Sequence, residues 1–186
     1  WNPDFEAAGF RNAVVVKVQP DDADWDAGDI RYNVLRWTSS PNPPFGGYGP
    51  SFVNPRTGQI LGADIMLEYV FVTNRVRQER AFATAGMGME MEEVIDKSGR
   101  MCALADQLQL NVMAGRQALM ARGATQIEMR DYLSQGLSYL ILHEVGHTLG
   151  LNHNMKSSQM LSPAEINDRA ITAAKGLMGS IMDYDI

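Results

Sequence analysis

The spacing of apolar residues divides this chain into a sheet-like first third and a helical remainder. Ala13–Val18 is a short, β-branched apolar run suited to a buried strand. Ile30–Trp37 is a second strand candidate. Phe52–Asn54 and Ile60–Leu67 flank Asn54-Pro55-Arg56-Thr57-Gly58, whose proline and glycine make a turn and hence a hairpin. Ahead of them, Asn2-Pro3 opens a short helix through Ala8, with Pro3 in its first turn and Gly9 past its end. No internal repeat appears. The first third therefore predicts a mixed, mostly parallel sheet with one antiparallel edge.

From Asn74 to Gly123 apolar residues recur at helical spacing, interrupted at Gly86, Gly88 and Gly99. Met101–Arg122 is the clearest helix of this stretch and stops at Gly123. Thr125-Gln126-Ile127-Glu128 has the form of a capping box, and it opens a long segment running through Leu137, Leu140 and Ile141. Further on, Ser162-Pro163-Ala164-Glu165 starts another capped helix, with Lys175 in its last turn and Gly176 as its stop. The methionine-rich stripes here read as core packing. The chain is one domain over 1–186, of α/β (α+β) class. Its sheet-rich part is 1–73, its helical part 74–154, and a capped helix with a methionine-bearing turn fills 155–186.

Composition narrows the function classes. At 186 residues and 45% hydrophobic, one sizeable core can form and a second domain is not expected. A formal net charge of −6 argues against nucleic acid or anionic membrane as partners. No apolar run reaches the roughly 18 residues of a membrane span. A single cysteine excludes an internal disulfide. No pro-segment motif surrounds that Cys102, so it reads as a buried structural thiol rather than an inhibitory metal ligand. Asp21, Asp22, Asp24, Asp26 and Asp29 could together hold structural calcium. Their spacing lacks the glycine and terminal glutamate of an EF-hand loop, and a solvated turn is favoured.

The chemistry lies in one stretch. All three histidines fall within His143-Glu144-Val145-Gly146-His147-Thr148-Leu149-Gly150-Leu151-Asn152-His153, the pattern H-E-x-x-H-x-x-G-x-x-H. On a helix His143 and His147 lie one turn apart on the same face and can grip one ion. Gly150 allows a left-handed turn that ends the helix and swings His153 back as third ligand. A rival set of His143, His147 and Glu165 is disfavoured, because His153 is nearer and Gly150 is placed to deliver it. Three neutral imidazoles leave one zinc ion its full charge and an open fourth position. There the pKa of water falls far below its bulk value, to about 7. Glu144, next to the first ligand, accepts the proton as general base and passes it to the leaving amine. The expected reaction is peptide hydrolysis without a covalent intermediate, on a peptide or protein substrate. The competing class is a zinc-stabilised module that binds a peptide or partner without cleaving it. Glu144 argues for the enzyme, since a structural metal site needs no carboxylate there.

The motif resembles that of the metzincin zinc endopeptidases, whose second mark is a methionine-bearing turn beneath the metal. Ser180-Ile181-Met182-Asp183-Tyr184 is the candidate. The resemblance implies that Met182 forms the hydrophobic floor under zinc. Tyr184 matches the tyrosine that astacin-like and serralysin-like members use as a displaceable ligand or hydrogen-bond donor. The chain is also similar to a group of large bacterial zinc-dependent metalloproteases, through Trp1–Phe10, Ile30–Trp37 and Gly49–Leu67. That likeness implies an exported protein and a catalytic region within a longer polypeptide, with a strand before Trp1 and a pocket wall and helix after Ile186. It further implies a metzincin-like twisted sheet, a long active-site helix, and an edge strand that pairs with extended substrate. The strand would be Gly49, Pro50, Ser51, Phe52, Val53 and Asn54. An ordinary edge strand without that role is equally open.

Overall fold

The computed structural model describes residues 1–40, 47–69 and 104–184. The first part of the expected helical stretch, residues 74–103, lies outside them, and Cys102 with it. In chain order the elements are α1 (Asn2–Ala7), β1 (Val34–Thr38), β2 (Gly47–Tyr48), β3 (Ser51–Val53), β4 (Ile60–Glu68), α2 (Leu104–Ala121) and α3 (Gln126–Thr148). Two 3-10 segments, Met155–Met160 and Glu165–Asn167, precede α4 (Arg169–Lys175).

The sheet is mixed and organised around β4. On one side β1 pairs with it in parallel, from Val34 opposite Asp64 to Thr38 opposite Glu68. On the other side β2 and β3 pair antiparallel, with Gly47 opposite Leu67 and Ser51 opposite Ala63. The two short segments thus form one interrupted edge. Alternation along β4 buries Ile65 and Leu67 on a single face. Leu104, Leu108, Val112 and Leu140 pack there from the helices and complete the core.

One expected strand fails. Val15, Val16 and Val18 are 65%, 89% and 92% exposed, and the extended run Ala13–Val18 joins no sheet. Its one ladder-like link is to a side chain: Asn2 both donates to and accepts from the Val14 backbone. A β-branched composition favours extended backbone, yet burial needs a neighbouring strand, and none of the described residues provides it. The second strand starts at Val34 rather than Ile30, because Asp29 turns the chain and bonds Arg31 in both backbone and guanidinium.

The helical hairpin follows its signals closely. The α2 helix ends at Gly123, where φ is +76° and the Ala124 N–H returns to the Leu119 carbonyl. Thr125 then caps α3, with the reciprocal bonds of a capping box to Glu128. The later box closes as well, since Ser162 and Glu165 exchange bonds. It yields only the 3-10 turn, however, and Asp168 caps the true α4 through the Ala170 and Ile171 N–H groups. The single helix expected from Ser162 to Lys175 is therefore two elements. Asp168 competes as a cap because its carboxylate reaches the free N–H groups two and three residues on.

At the end of β4, Glu68 is buried and accepts bonds from the Thr38 hydroxyl at 2.8 Å, the Ser40 hydroxyl at 2.7 Å and the Ser40 N–H at 3.0 Å. Burial alone would push its pKa up, but the Ser40 and Thr38 bonds outweigh it and hold the carboxyl below its ordinary 4.5. A depressed pKa adds stability that is present above the unfolded value and lost as pH falls through the folded one. Urea denaturation should therefore show stability declining below about pH 4.5, with a shallower decline in Glu68→Gln. Glu68→Ala should cost about 2–4 kcal/mol near neutral pH, because it strands three part-buried donors.

Candidate metal centre

The α3 helix stops by a Schellman motif. Gly150 has φ +87°, its N–H bonds to the His147 carbonyl at 2.9 Å, and the Leu151 N–H bonds to the Gly146 carbonyl at 3.0 Å. This reversal brings His153 back over the helix face that carries His143 and His147. The ring centroids of His147 and His153 are 4.7 Å apart, those of His143 and His153 5.3 Å. One nitrogen from each ring lies within 4.8 Å of those from the others. Glu165 is not part of this group, which His153 completes.

The unused ring nitrogens decide the tautomers. His143 Nδ1 is 2.8 Å from the Ile181 carbonyl and His147 Nδ1 is 3.0 Å from the Leu151 carbonyl. A carbonyl only accepts, so both Nδ1 atoms carry the proton and both Nε2 atoms present lone pairs. Burial, reinforced by the neighbouring histidines, pushes the His143 pKa down to about 4 against the bond to Ile181. Burial also lowers His153. Neutral imidazoles are the form a metal needs. His147 Nε2 and His153 Nε2 stand 3.1 Å apart. Two lone pairs at that range repel unless a proton or cation sits between them. A tetrahedral zinc with bonds of about 2.0–2.1 Å spaces its nitrogens by roughly 3.3 Å, so the donor set fits zinc.

The chain after α4 forms the floor. Met182 is buried and its sulfur lies against Gly146 of α3, where a Cβ would collide with it. A side chain at 146 would lift the turn away from the helix. Asp183 anchors the same turn from below. Its buried carboxylate accepts from the Ser157 hydroxyl at 2.6 Å, the Ser158 hydroxyl at 2.7 Å and the Tyr184 N–H at 2.8 Å. The Tyr139 hydroxyl on α3 donates to the Asp183 carbonyl at 2.6 Å, and the Asn154 N–H to the Met182 carbonyl at 2.8 Å. The turn is thus tied to the metal helix and to the segment following His153. Tyr184 follows directly, with its hydroxyl 3.3 Å from His153 Nε2.

Glu144 faces the other way, towards the sheet edge. It is fully buried, neither carboxylate oxygen has a hydrogen-bond partner among the described residues, and burial pushes its pKa up to about 7. Only the approach of the Gly49 N–H offsets that rise. Of the expected edge strand, Gly49 therefore meets the site. Ser51–Val53 continue it along β4, and Phe52 and Val53 are nearly half exposed. Asn54 begins the turn beyond, accepting from Arg56 and Gly58. Sequence reasoning missed Gly47, Gly146, Asp183, Ser157 and Ser158. Two glycines in Gly47-Tyr48-Gly49 were a signal for close backbone approach; the two serines carried none.

Residues 125–185 match a family model described as Met-zincin. No curated protein and no solved structure matches the chain. The match covers α3, the three histidines and the turn at Met182. With the mixed sheet and long helix it makes the fold metzincin-like, with a histidine cluster that fits a metzincin zinc site.

Two outcomes test this geometry. His147→Ala should abolish stoichiometric zinc binding, measured by metal analysis after dialysis, while far-ultraviolet circular dichroism stays the same. The second concerns Glu144 without metal. Its folded pKa of about 7 exceeds the ordinary 4.5, so the folded state holds the extra proton and stability falls as pH rises between those values. Relative to wild type, metal-free Glu144→Gln should gain on the order of 1–3 kcal/mol between about pH 4 and pH 8 in urea melts.

Proposed function

We propose that this chain is a zinc-dependent endopeptidase domain in which Glu144 is the general base. The observation that carries the reading is the buried, partnerless Glu144 carboxylate one residue from His143, beside three converging imidazole nitrogens. A zinc site with a purely structural role needs no such group, and an unpaired buried carboxylate is costly to keep. His143, His147 and His153 would hold one zinc ion, which when bound supplies Lewis-acid chemistry: acidified water and a polarised carbonyl. Glu144 takes a proton from the attacking water and returns it to the leaving amine nitrogen. A pKa near neutrality in the metal-free site suits a group that must both accept and donate. Nearby positive charge would draw it down towards the ionised form.

Tyr184 supplies a hydroxyl on the opposite side, within 3.3 Å of His153 Nε2, where it can donate to developing negative charge on the substrate oxygen. Substrate would lie along the free side of β2 and β3. The Asp64 N–H bonds to the Pro50 carbonyl, so by ladder alternation the N–H and C=O groups of Ser51 point away from β4. Those outward groups support main-chain pairing with an extended peptide. Met182 shapes the floor and touches no substrate. Export from the cell, and a place within a longer polypeptide, rest on the family resemblance alone.

A peptide-library digest with zinc-loaded protein tests the reading. Glu144→Gln should keep one zinc and lose about 10²–10⁴-fold in kcat. Proline at Ser51, whose N–H points outward, should raise KM with zinc content unchanged; unaltered kinetics would remove the edge strand from the substrate site. Zinc bound with no cleavage of any peptide would favour a binding module instead.

A further inference from the structure

The close approach of the sheet edge to α3 is made by two glycines, and their backbone conformation does not require glycine. Positive φ angles occur at Gly9, Gly58, Gly123, Gly150 and Gly176, not at Gly47 or Gly49. What they lack is room. A Cβ on Gly49 would lie 2.6 Å from the Glu144 carbonyl oxygen and 3.1 Å from its Oε2. A Cβ on Gly47 would lie 3.2 Å from Glu144 Oε1 and 3.1 Å from Leu140 Cδ1. Both glycines are buried, and Gly49, just past the end of β2, meets the same helix residue as Gly47. Pairing with Leu67 and Met66 of β4 pins β2, so the strand cannot drift from the carboxylate without breaking the ladder.

We propose that Gly47 and Gly49 are positioning residues that form the seat of the Glu144 carboxylate, each oxygen resting against one glycine Cα. The seat restricts the side chain's rotation and shuts side-chain donors out, leaving both oxygens free for water and the leaving amine. Catalysis depends on such placement: an error of about 1 Å in a reacting group costs on the order of 100-fold. Any larger residue at 49 must move backbone, because its nearest obstacle is the α3 main chain. At 47 the obstacles are side-chain ends, and the displacement is smaller. The proposal rests on the reading of Glu144 as general base.

The test compares Gly49→Ala, Gly47→Ala and Glu144→Gln in the full chain, with Gly58→Ala as a stability control. Gly58 lies in the hairpin turn with φ +73° and nothing within 4 Å of a Cβ, so its replacement strains the fold without touching the site. All variants should bind one zinc or cobalt ion. Gly49→Ala should lower kcat by about 10–100-fold, Gly47→Ala by less, and Gly58→Ala not at all. Adding Gly49→Ala to Glu144→Gln should change the residual kcat less than about two-fold, since the seat acts only through that carboxylate. The visible spectrum of the cobalt-loaded protein should change alike in Gly49→Ala and Glu144→Gln, and not in Gly58→Ala. Additive losses in kcat, or a cobalt spectrum of Gly49→Ala identical to wild type, would overturn the proposal. If the wild type cleaves nothing, the general-base reading fails on its own, while the cobalt spectra still decide whether the glycines seat Glu144.

Discussion

Three imidazoles converge here, with His147 Nε2 and His153 Nε2 held 3.1 Å apart, close enough for one divalent cation to take a lone pair from each ring. Much of the surrounding structure serves to keep them so. The rings cannot turn away, because the outer nitrogens of His143 and His147 are committed to the backbone carbonyls of Ile181 and Leu151. They do not escape by protonation at His143, because burial makes its charged form too costly. A divalent cation among these nitrogens would gain a lone pair from each, and the energy of binding is then available to hold the local fold together.

The carbonyl that orients His143 belongs to the turn near the C-terminal end, next to the methionine beneath the helix. Ligand orientation and floor are therefore one unit. Gly146 lets Met182 approach, Asp183 gathers the hydroxyls of Ser157 and Ser158, and Tyr139 donates to the Asp183 main chain. Each link joins the metal helix or the segment after His153 to the same turn. The consequence is mechanical: a shift of the turn moves both the His143 ring and the Tyr184 hydroxyl. Buried networks in which every member is satisfied specify a single arrangement in this way.

Against that satisfied network stands Glu144, which with Arg116 Nε lacks a hydrogen-bond partner among the described buried side chains. The Glu144 carboxylate is buried at the sheet edge without a partner, while Glu68 and Asp183, equally buried, each have several. The pKa directions follow: hydrogen bonds draw Glu68 and Asp183 down against the effect of burial, and burial carries Glu144 up. Glu68 and Asp183 have donors that outweigh burial, whereas Glu144 lies deeper and has none to offset it fully.

Local signals were legible in the sequence because they act over a few residues. The capping box at Thr125, the stop at Gly150, the hairpin turn at Asn54–Gly58 and the three-histidine spacing all came out as their residue types dictate. Where local signals competed, only the folded chain chose, as when Asp168 took over the helix that Ser162 alone would open. Burial was not legible at all for Ala13–Val18, since a strand is buried by its neighbours and not by its composition. The same holds for the seat of Glu144 and the ties to Asp183. Residues 47 and 144, or 157 and 183, are brought together by packing, and packing distance has no period that a sequence can display. By itself the sequence determined which atoms could bind a metal and where the helix must end to gather them. Only tertiary structure decided which carboxylate went without partners, because that depends on what lies across the gap.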